Sequence, residues 1–315
     1  MAHAFIFPGQ GSQSVGMGKS LADAFPSARA VFEEVDDVLN QHLSKIMWEG
    51  PEDDLTLTSN TQPALMACSV AAMAALTAEF DVDVKSAKFV AGHSLGEYSA
   101  LCAAGALTLA DTARLLRLRG DAMQKAVPVG AGAMCALLGA SVEDAEAAAT
   151  AGQKHGICQI ANDNATGQIV LSGEVAAVEA AAQSARDAGV KKAVILPVSA
   201  PFHCDMMAPA ADAMRDALMD TAISAPIVPV VNNVTAQPTM DAEQIMNDLV
   251  SQVTGRVRWR ESIEWMAGEG EIEVFAEPGC GKVLTQMLKR IVKGVSGSAL
   301  NSPESLEAFA NSLKQ

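Results

Sequence analysis

The chain has 315 residues, half of them hydrophobic and only 19% charged, so it can bury a sizeable core and falls outside the disordered class. Its 22 Lys and Arg stand against 37 Asp and Glu, a formal net charge of −15, which argues against a nucleic acid partner because such binding rests on neutralising phosphates. The six cysteines (Cys68, Cys102, Cys135, Cys158, Cys204 and Cys280) are scattered without a C-x-x-C pair and read as free thiols of a reducing compartment.

No H-E-x-x-H or clustered Cys/His spacing suggests a metal. The N-terminus passes from Phe5-Ile6-Phe7 straight into Pro8-Gly9 without a signal-peptide pattern. The longest nearly apolar run, 64–76, is shorter than the ~20 residues of a membrane span, so a cytoplasmic protein with no membrane partner is expected.

In chain order, Ala4-Phe5-Ile6-Phe7 reads as a short strand closed by the turn Pro8-Gly9-Gln10-Gly11-Ser12-Gln13. Helical patterns follow over 21–40 and 62–79. A buried strand at 87–91, a small-residue turn and a helix from Glu97 come next, then a helix over 109–126. That alternation predicts an α/β fold with a largely parallel sheet.

The middle changes character. A strand over 133–139 leads to a helix capped by Ser141-Val142-Glu143; strands over 157–161 and 167–172 flank the turn Asn162-Asp163-Asn164; a helix over 175–188 and a strand over 193–198 follow. This β-α-β-β-α-β order is the ferredoxin-like arrangement. Pro128-Val129-Gly130 and Pro197 with Pro201 punctuate its edges. Residues 129–199 are therefore expected to form a small domain inserted into a discontinuous large α/β domain, 1–128 and 200–315. The remainder predicts helices over 206–220, 241–253, 259–267 and 282–292, with strands over 228–231 and 273–275.

Gly92-His93-Ser94-Leu95-Gly96 is a G-x-S-x-G between strand and helix, the pattern of a nucleophile elbow. Small residues there permit a sharp turn that exposes the serine hydroxyl, with backbone N–H groups nearby to hold an oxyanion. A tight turn with an N-capping serine satisfies the same letters. A serine nucleophile needs a base. Of the five histidines, His3 is expected at a frayed end, His42 in an exposed segment, His93 pointing away from Ser94 and His155 in a loop. His203 lies where the chain re-enters the large domain and is the best candidate, against a purely structural histidine. Arg119, last before Gly120, is expected to turn inward at a helix end, where a carboxylate would match its two-pronged donors; a dipole-favoured C-terminal arginine is the alternative. The glycine-rich turns at Pro8 and Gly279 lack the remaining residues of a nucleotide fingerprint.

Taken together, Phe7-Pro8-Gly9-Gln10-Gly11-Ser12-Gln13, Thr61-Gln62-Pro63-Ala64-Leu65, Gly92 to Tyr98, Arg119-Gly120, Gly130 to Met134, Phe202-His203-Cys204, Val230-Val231-Asn232-Asn233 and Pro278-Gly279 resemble the malonyl-CoA:acyl carrier protein transacylase family of fatty acid synthesis, nearly end to end. The resemblance implies a hydrolase-like α/β domain with a ferredoxin-like insertion. It implies Ser94 as acylated nucleophile, His203 as base and acid, and a backbone carbonyl near Gln252 orienting the imidazole. The N–H groups of Gln10 and Leu95 become oxyanion donors, and Arg119 the clamp for the malonyl carboxylate. Asn162 and Asn164 fall on the coenzyme A side of the cleft, and Gln62 in the substrate pocket.

Malonyl-CoA and acyl carrier protein are the implied substrates, with no cofactor beyond the thioester itself and a monomer as the expected unit. Phe202 accompanies malonyl over bulkier extender units in part of the family, whereas Pro278-Gly279-Cys280-Gly281-Lys282 departs from the usual Pro-Gly-Lys. An acidic carrier meeting an acidic chain needs a local basic patch; Lys191-Lys192, Arg256-Arg258-Arg260 and Lys289-Arg290-Lys293 are the candidates. A serine hydrolase and a non-catalytic carrier-binding module are the competing readings.

Overall fold

A computed structural model describes residues 1–198 and 200–314. Ser199, at the expected domain junction, and Gln315, at the end of the expected large domain, lie outside the described residues.

The strands are β1 (His3–Phe7), β2 (Phe89–Gly92), β3 (Gly132–Leu138), β4 (Cys158–Ala165), β5 (Gln168–Glu174), β6 (Lys192–Ile195), β7 (Val230–Val231), β8 (Pro238–Thr239), β9 (Val274–Pro278) and β10 (Ser296–Leu300). They form a six-stranded sheet in the order β10-β9-β1-β2-β7-β8 and a four-stranded sheet in the order β4-β5-β3-β6. The large sheet is parallel except for β8. Its central β1 is buried along its whole length, as an unbroken apolar strand covered by helices on both faces should be. Every pairing in the small sheet is antiparallel. Helices Val142–Gly152 and Val175–Asp187 cover it, burying Leu137, Ile169 and Leu171 against an alanine-rich helical face. The architecture is a parallel-sheet α/β fold carrying a ferredoxin-like β-α-β-β-α-β unit.

The register matters for chemistry. Phe7 pairs with Gly92, so β1 and β2 end level and the Pro8–Gln13 turn lies beside the elbow. The two sheets meet through β4: Asn162 bridges Val257, the Asp163 N–H donates to Val257 O at 2.9 Å, and the Val257 N–H donates to Ala161 O at 2.8 Å.

Several local expectations need correction. The 21–40 pattern is two helices, Lys19–Ala24 and Pro26–Leu39, because Phe25 is extended and Pro26 starts the second. His3 is not frayed: it lies in β1, 3% exposed, with Nε2 3.2 Å from Ser86 Oγ. Arg119 does not end a helix; Leu109–Lys125 continues through Gly120, whose missing side chain lets the backbone approach Ser59 and Thr58. Asn162, Asp163 and Asn164 are not a turn but part of β4, bulged at two places. Helix Thr58–Phe80 has the length and hydropathy of a membrane span, yet 67% of its most apolar window is buried inside the protein, as befits a core helix. All six cysteines are free, and five are fully buried.

Candidate active site

The elbow forms because two glycines allow backbones to collide-proof distances that no Cβ would tolerate. A Cβ on Gly92 would fall 1.9 Å from the Gly96 carbonyl, and one on Gly96 would fall 2.2 Å from Phe7 O. Between them Ser94 takes φ 54°, a left-handed conformation uncommon outside glycine. Asn233, just after β7, holds that conformation: its Oδ1 accepts the Ser94 N–H at 2.7 Å and its Nδ2 donates to Gly92 O at 2.6 Å. Helix Gly96–Ala103 then starts directly behind the serine, with the positive end of its dipole toward it.

His203 comes from the segment that follows β6, the last strand of the small sheet. It is 4% exposed and also left-handed, at φ 58°. Its Nε2 lies 2.8 Å from Ser94 Oγ, and its Nδ1 lies 2.8 Å from the backbone oxygen of Gln252. A carbonyl only accepts, so Nδ1 carries the proton and Nε2 is left to receive one from the serine. Burial, then the neighbouring Arg119 charge, push the imidazole down to about 3, so it is neutral at physiological pH and its Nε2 lone pair is unprotonated.

Arg119 projects from mid-helix and is 1% exposed. Nη1 donates to Gln62 Oε1 at 2.9 Å, while Nη2 donates to Gln252 Oε1 at 2.8 Å and to Ser94 Oγ at 3.2 Å. The guanidinium also stands 5.8 Å over the Tyr98 ring, and its Nε has no hydrogen-bond partner among the described residues. Every acceptor it meets is neutral.

The structure thus brings together Ser94, His203, Arg119, Gln252 and Gln62, with Leu95 in the elbow and Gln10 in the adjoining turn. Asn164 is placed differently from a free substrate contact: its Oδ1 faces His93 Nε2 at 2.7 Å, and His93 packs edge-on against Trp259. Arg256, Arg258 and Arg260 are not a free basic patch, since they pair with Asp163, Glu261 and Glu264. Lys191, Lys192, Lys289, Arg290 and Lys293 are exposed.

Two site residues had no role assigned from sequence, Asn233 and Glu97. Both fall in motifs that carry the family resemblance, but no local pattern shows what an asparagine after a strand or a glutamate inside a helix will meet.

A buried guanidinium aimed at an activated serine distinguishes this centre from that of a simple esterase, which has no anion to hold. Fold and site together define an acyl transferase. The acyl transferase domain family matches residues 4–304. The malonyl CoA-acyl carrier protein transacylase of Bacillus subtilis (strain 168) is 41% identical over 313 residues, 99% of this chain and 97% of its own. The crystal structure of an acyl-carrier-protein-S-malonyltransferase from Bartonella henselae superposes with a TM-score of 0.97 at 54% identity, covering 100% of both chains. A malonyl-transacylase in complex with its holo type II PKS acyl-carrier protein gives 0.95 at 41% identity, over 99% of this chain and 100% of that one. The chain belongs to the malonyl CoA-acyl carrier protein transacylase family.

Proposed function

We propose that this protein moves the malonyl group of malonyl-CoA to the phosphopantetheine thiol of an acyl carrier protein through a malonyl ester on Ser94, supplying fatty acid synthesis. The observation that carries this reading is Arg119: a fully buried cation, 3.2 Å from Ser94 Oγ, with only neutral acceptors around it. A desolvated guanidinium is stabilised best by a carboxylate, and the malonyl group supplies one at the distance of a short acyl chain from its thioester.

His203 Nε2 takes the Ser94 proton as Oγ attacks the thioester carbonyl. The oxyanion is received by the N–H groups of Leu95 and Gln10, the second brought close by the level ends of β1 and β2. Each such donor lowers the barrier by about 3 kcal/mol. Collapse expels the coenzyme A thiolate, which takes the proton from His203. The carrier thiol then gives its proton to His203 and attacks the ester, and Ser94 leaves as the alcohol. Two thioesters of similar energy are exchanged, so the reaction is close to reversible. Gln62 orients Arg119 at the pocket floor, and Phe202 before His203 favours malonyl over bulkier units. Asn162 and Asn164 act from β4 on the coenzyme A side, Asn164 through its bond to His93. The described part of 129–199 is read as the inserted small domain, and the remaining described residues as the catalytic domain. One chain supplies the whole site, which supports a monomer as the working unit, and six free thiols fit a reducing, cytoplasmic setting.

Mixing the protein with malonyl-CoA alone should release one equivalent of coenzyme A and leave a malonyl ester on the Ser94 peptide by mass spectrometry. Turnover should resume only with carrier protein. Continuous release of free malonate would favour a hydrolase, and Ser94→Ala that still shuttles malonyl would overturn the mechanism. Arg119→Ala should lower malonyl transfer about 100–1,000-fold, the loss typical of removing a preorganised charge partner, while acetyl transfer is spared.

A further inference from the structure

The groups that touch the reacting atoms are held by two neutral amides. Asn233 fixes the Ser94 backbone from both sides. Gln252 does more: its backbone oxygen faces His203 Nδ1, its Oε1 accepts from Arg119, and its Nε2 donates to Ser94 O at 3.0 Å. Both amide residues converge on one atom. Glu97 Oε2 accepts the second hydrogen of Gln252 Nε2 at 2.8 Å and the backbone N–H of Asn233 at 3.1 Å. Glu97 is itself 2% exposed, in the first turn of the helix behind the nucleophile.

We propose that Glu97 is the positioning residue of the transfer reaction: by accepting from Gln252 and Asn233 through one oxygen, it fixes the orientation of the Gln252 amide and with it the alignment of Arg119 and His203 on Ser94. An amide side chain is ambiguous, since its oxygen and nitrogen ends are interchangeable in shape. Arg119 needs the oxygen end. Acceptors on the opposite side force that choice, and Glu97 supplies the shorter of the two, at 2.8 Å against 3.0 Å to Ser94 O. Flipping Gln252 would turn an N–H toward the guanidinium and leave Arg119 free to swing from the malonyl carboxylate.

Burial pushes the Glu97 carboxyl up to about 7, so near neutrality part of the population is protonated. Because a single oxygen takes both hydrogen bonds, the acid and the carboxylate present the same acceptor. A glutamine would too. The geometry therefore asks for an acceptor oxygen at this place rather than for a charge.

The inference rests on the malonyl reading above, and its test separates the two. Formation of malonyl-Ser94 and acetyl-Ser94 is measured in single turnover for the parent protein, Glu97→Ala and Glu97→Gln, with the active fraction taken from the coenzyme A burst. Glu97→Ala should slow malonylation about 100-fold, the scale of a misaligned reacting pair. It should slow acetylation less, so that the malonyl-to-acetyl ratio falls. Glu97→Gln should recover most of the rate and the ratio. A lesion of folding alone lowers the active fraction and leaves the ratio unchanged, which would overturn the proposal. So would Glu97→Ala malonylating within threefold of the parent, or Glu97→Gln failing as completely as Glu97→Ala. Should Glu97→Ala not fold, the ratio in Glu97→Gln still decides, since a parent-like value is required of it. A parent protein that takes no malonyl at all would instead remove the functional reading itself.

Discussion

His203 is kept neutral by two causes that can be separated, burial and the Arg119 charge, in that order. Replacing Arg119 with methionine keeps most of the burial and removes the cation, so the imidazole should titrate at a higher pH than its parent value of about 3. Histidine-selective NMR titration reads this directly; a His203 ring that titrates near 6.5 in the parent would contradict the site described here. The sign for stability follows. The unfolded imidazole binds its proton near 6.5 and the folded one only near 3, so between those values the unfolded state holds more protons. Stability contributed by His203 is complete above 6.5 and falls as the pH drops through that window, and His203→Asn should flatten the slope in an acid denaturation series. The residues legible in the sequence were those whose chemistry is declared by type and neighbourhood. A serine between glycines, a histidine at a domain junction and an arginine among leucines are all conspicuous. Glu97 and Asn233 were not, because their roles depend on which amide meets which oxygen across more than 130 residues of chain.

Among elements, the β2–elbow–helix unit combines the tightest backbone packing with the chemistry. Gly92→Ala must move the helix start, since its Cβ would lie 1.9 Å from the Gly96 carbonyl. Overpacking of this kind costs about 1–3 kcal/mol, and here it acts on the turn that aims Ser94. The expected outcome is a lowered melting temperature together with a loss of Ser94 acylation larger than the loss of folded protein, read by thermal unfolding and by single-turnover acylation on one preparation. Sequence periodicity found this unit, the small sheet's elements and the Ser141 helix cap, whose capping box with Asp144 is present. It missed β10 and helix Pro303–Leu313. The strand Ser296-Gly297-Ser298-Ala299-Leu300 is an edge of small residues, mostly exposed or half-buried, with little apolar alternation to detect. It also misread 162–164. Two asparagines and an aspartate suggest a turn by composition, but β4 keeps them extended by pairing with β5 on one side and with Val257 on the other.

At the scale of the whole molecule, the cleft depends on how the small sheet is fixed to the large one, and Asp163 does much of this fixing. Its carboxylate is 1% exposed and pairs with Arg256 at 2.7 Å and Arg260 at 2.8 Å, both outside the small sheet. The neighbouring residues add the backbone bridge to Val257 and the Asn164–His93 contact, so three successive β4 positions tie the small sheet to the segments beside Ser94. One of the three basic clusters offered for a carrier protein is thus spent on internal pairing: Glu261 and Glu264 stand next to it in sequence, but Asp163, which binds two of its arginines, is 93 and 97 residues away and escapes local charge counting. Removing one member of a buried ion pair leaves the others uncompensated and costs about 3–5 kcal/mol. Since the two arginines keep some solvent contact, the lower end applies to Asp163→Ala, about 3 kcal/mol by urea unfolding. The exposed pair Lys19–Asp23 serves as control, and Asp23→Ala should leave stability unchanged within error. If this clasp also sets the cleft, Asp163→Ala should raise the KM for malonyl-CoA more than it lowers kcat, because Ser94 and His203 keep their contact. A variant with normal stability and normal KM would show that the backbone bridge alone holds the two sheets in register.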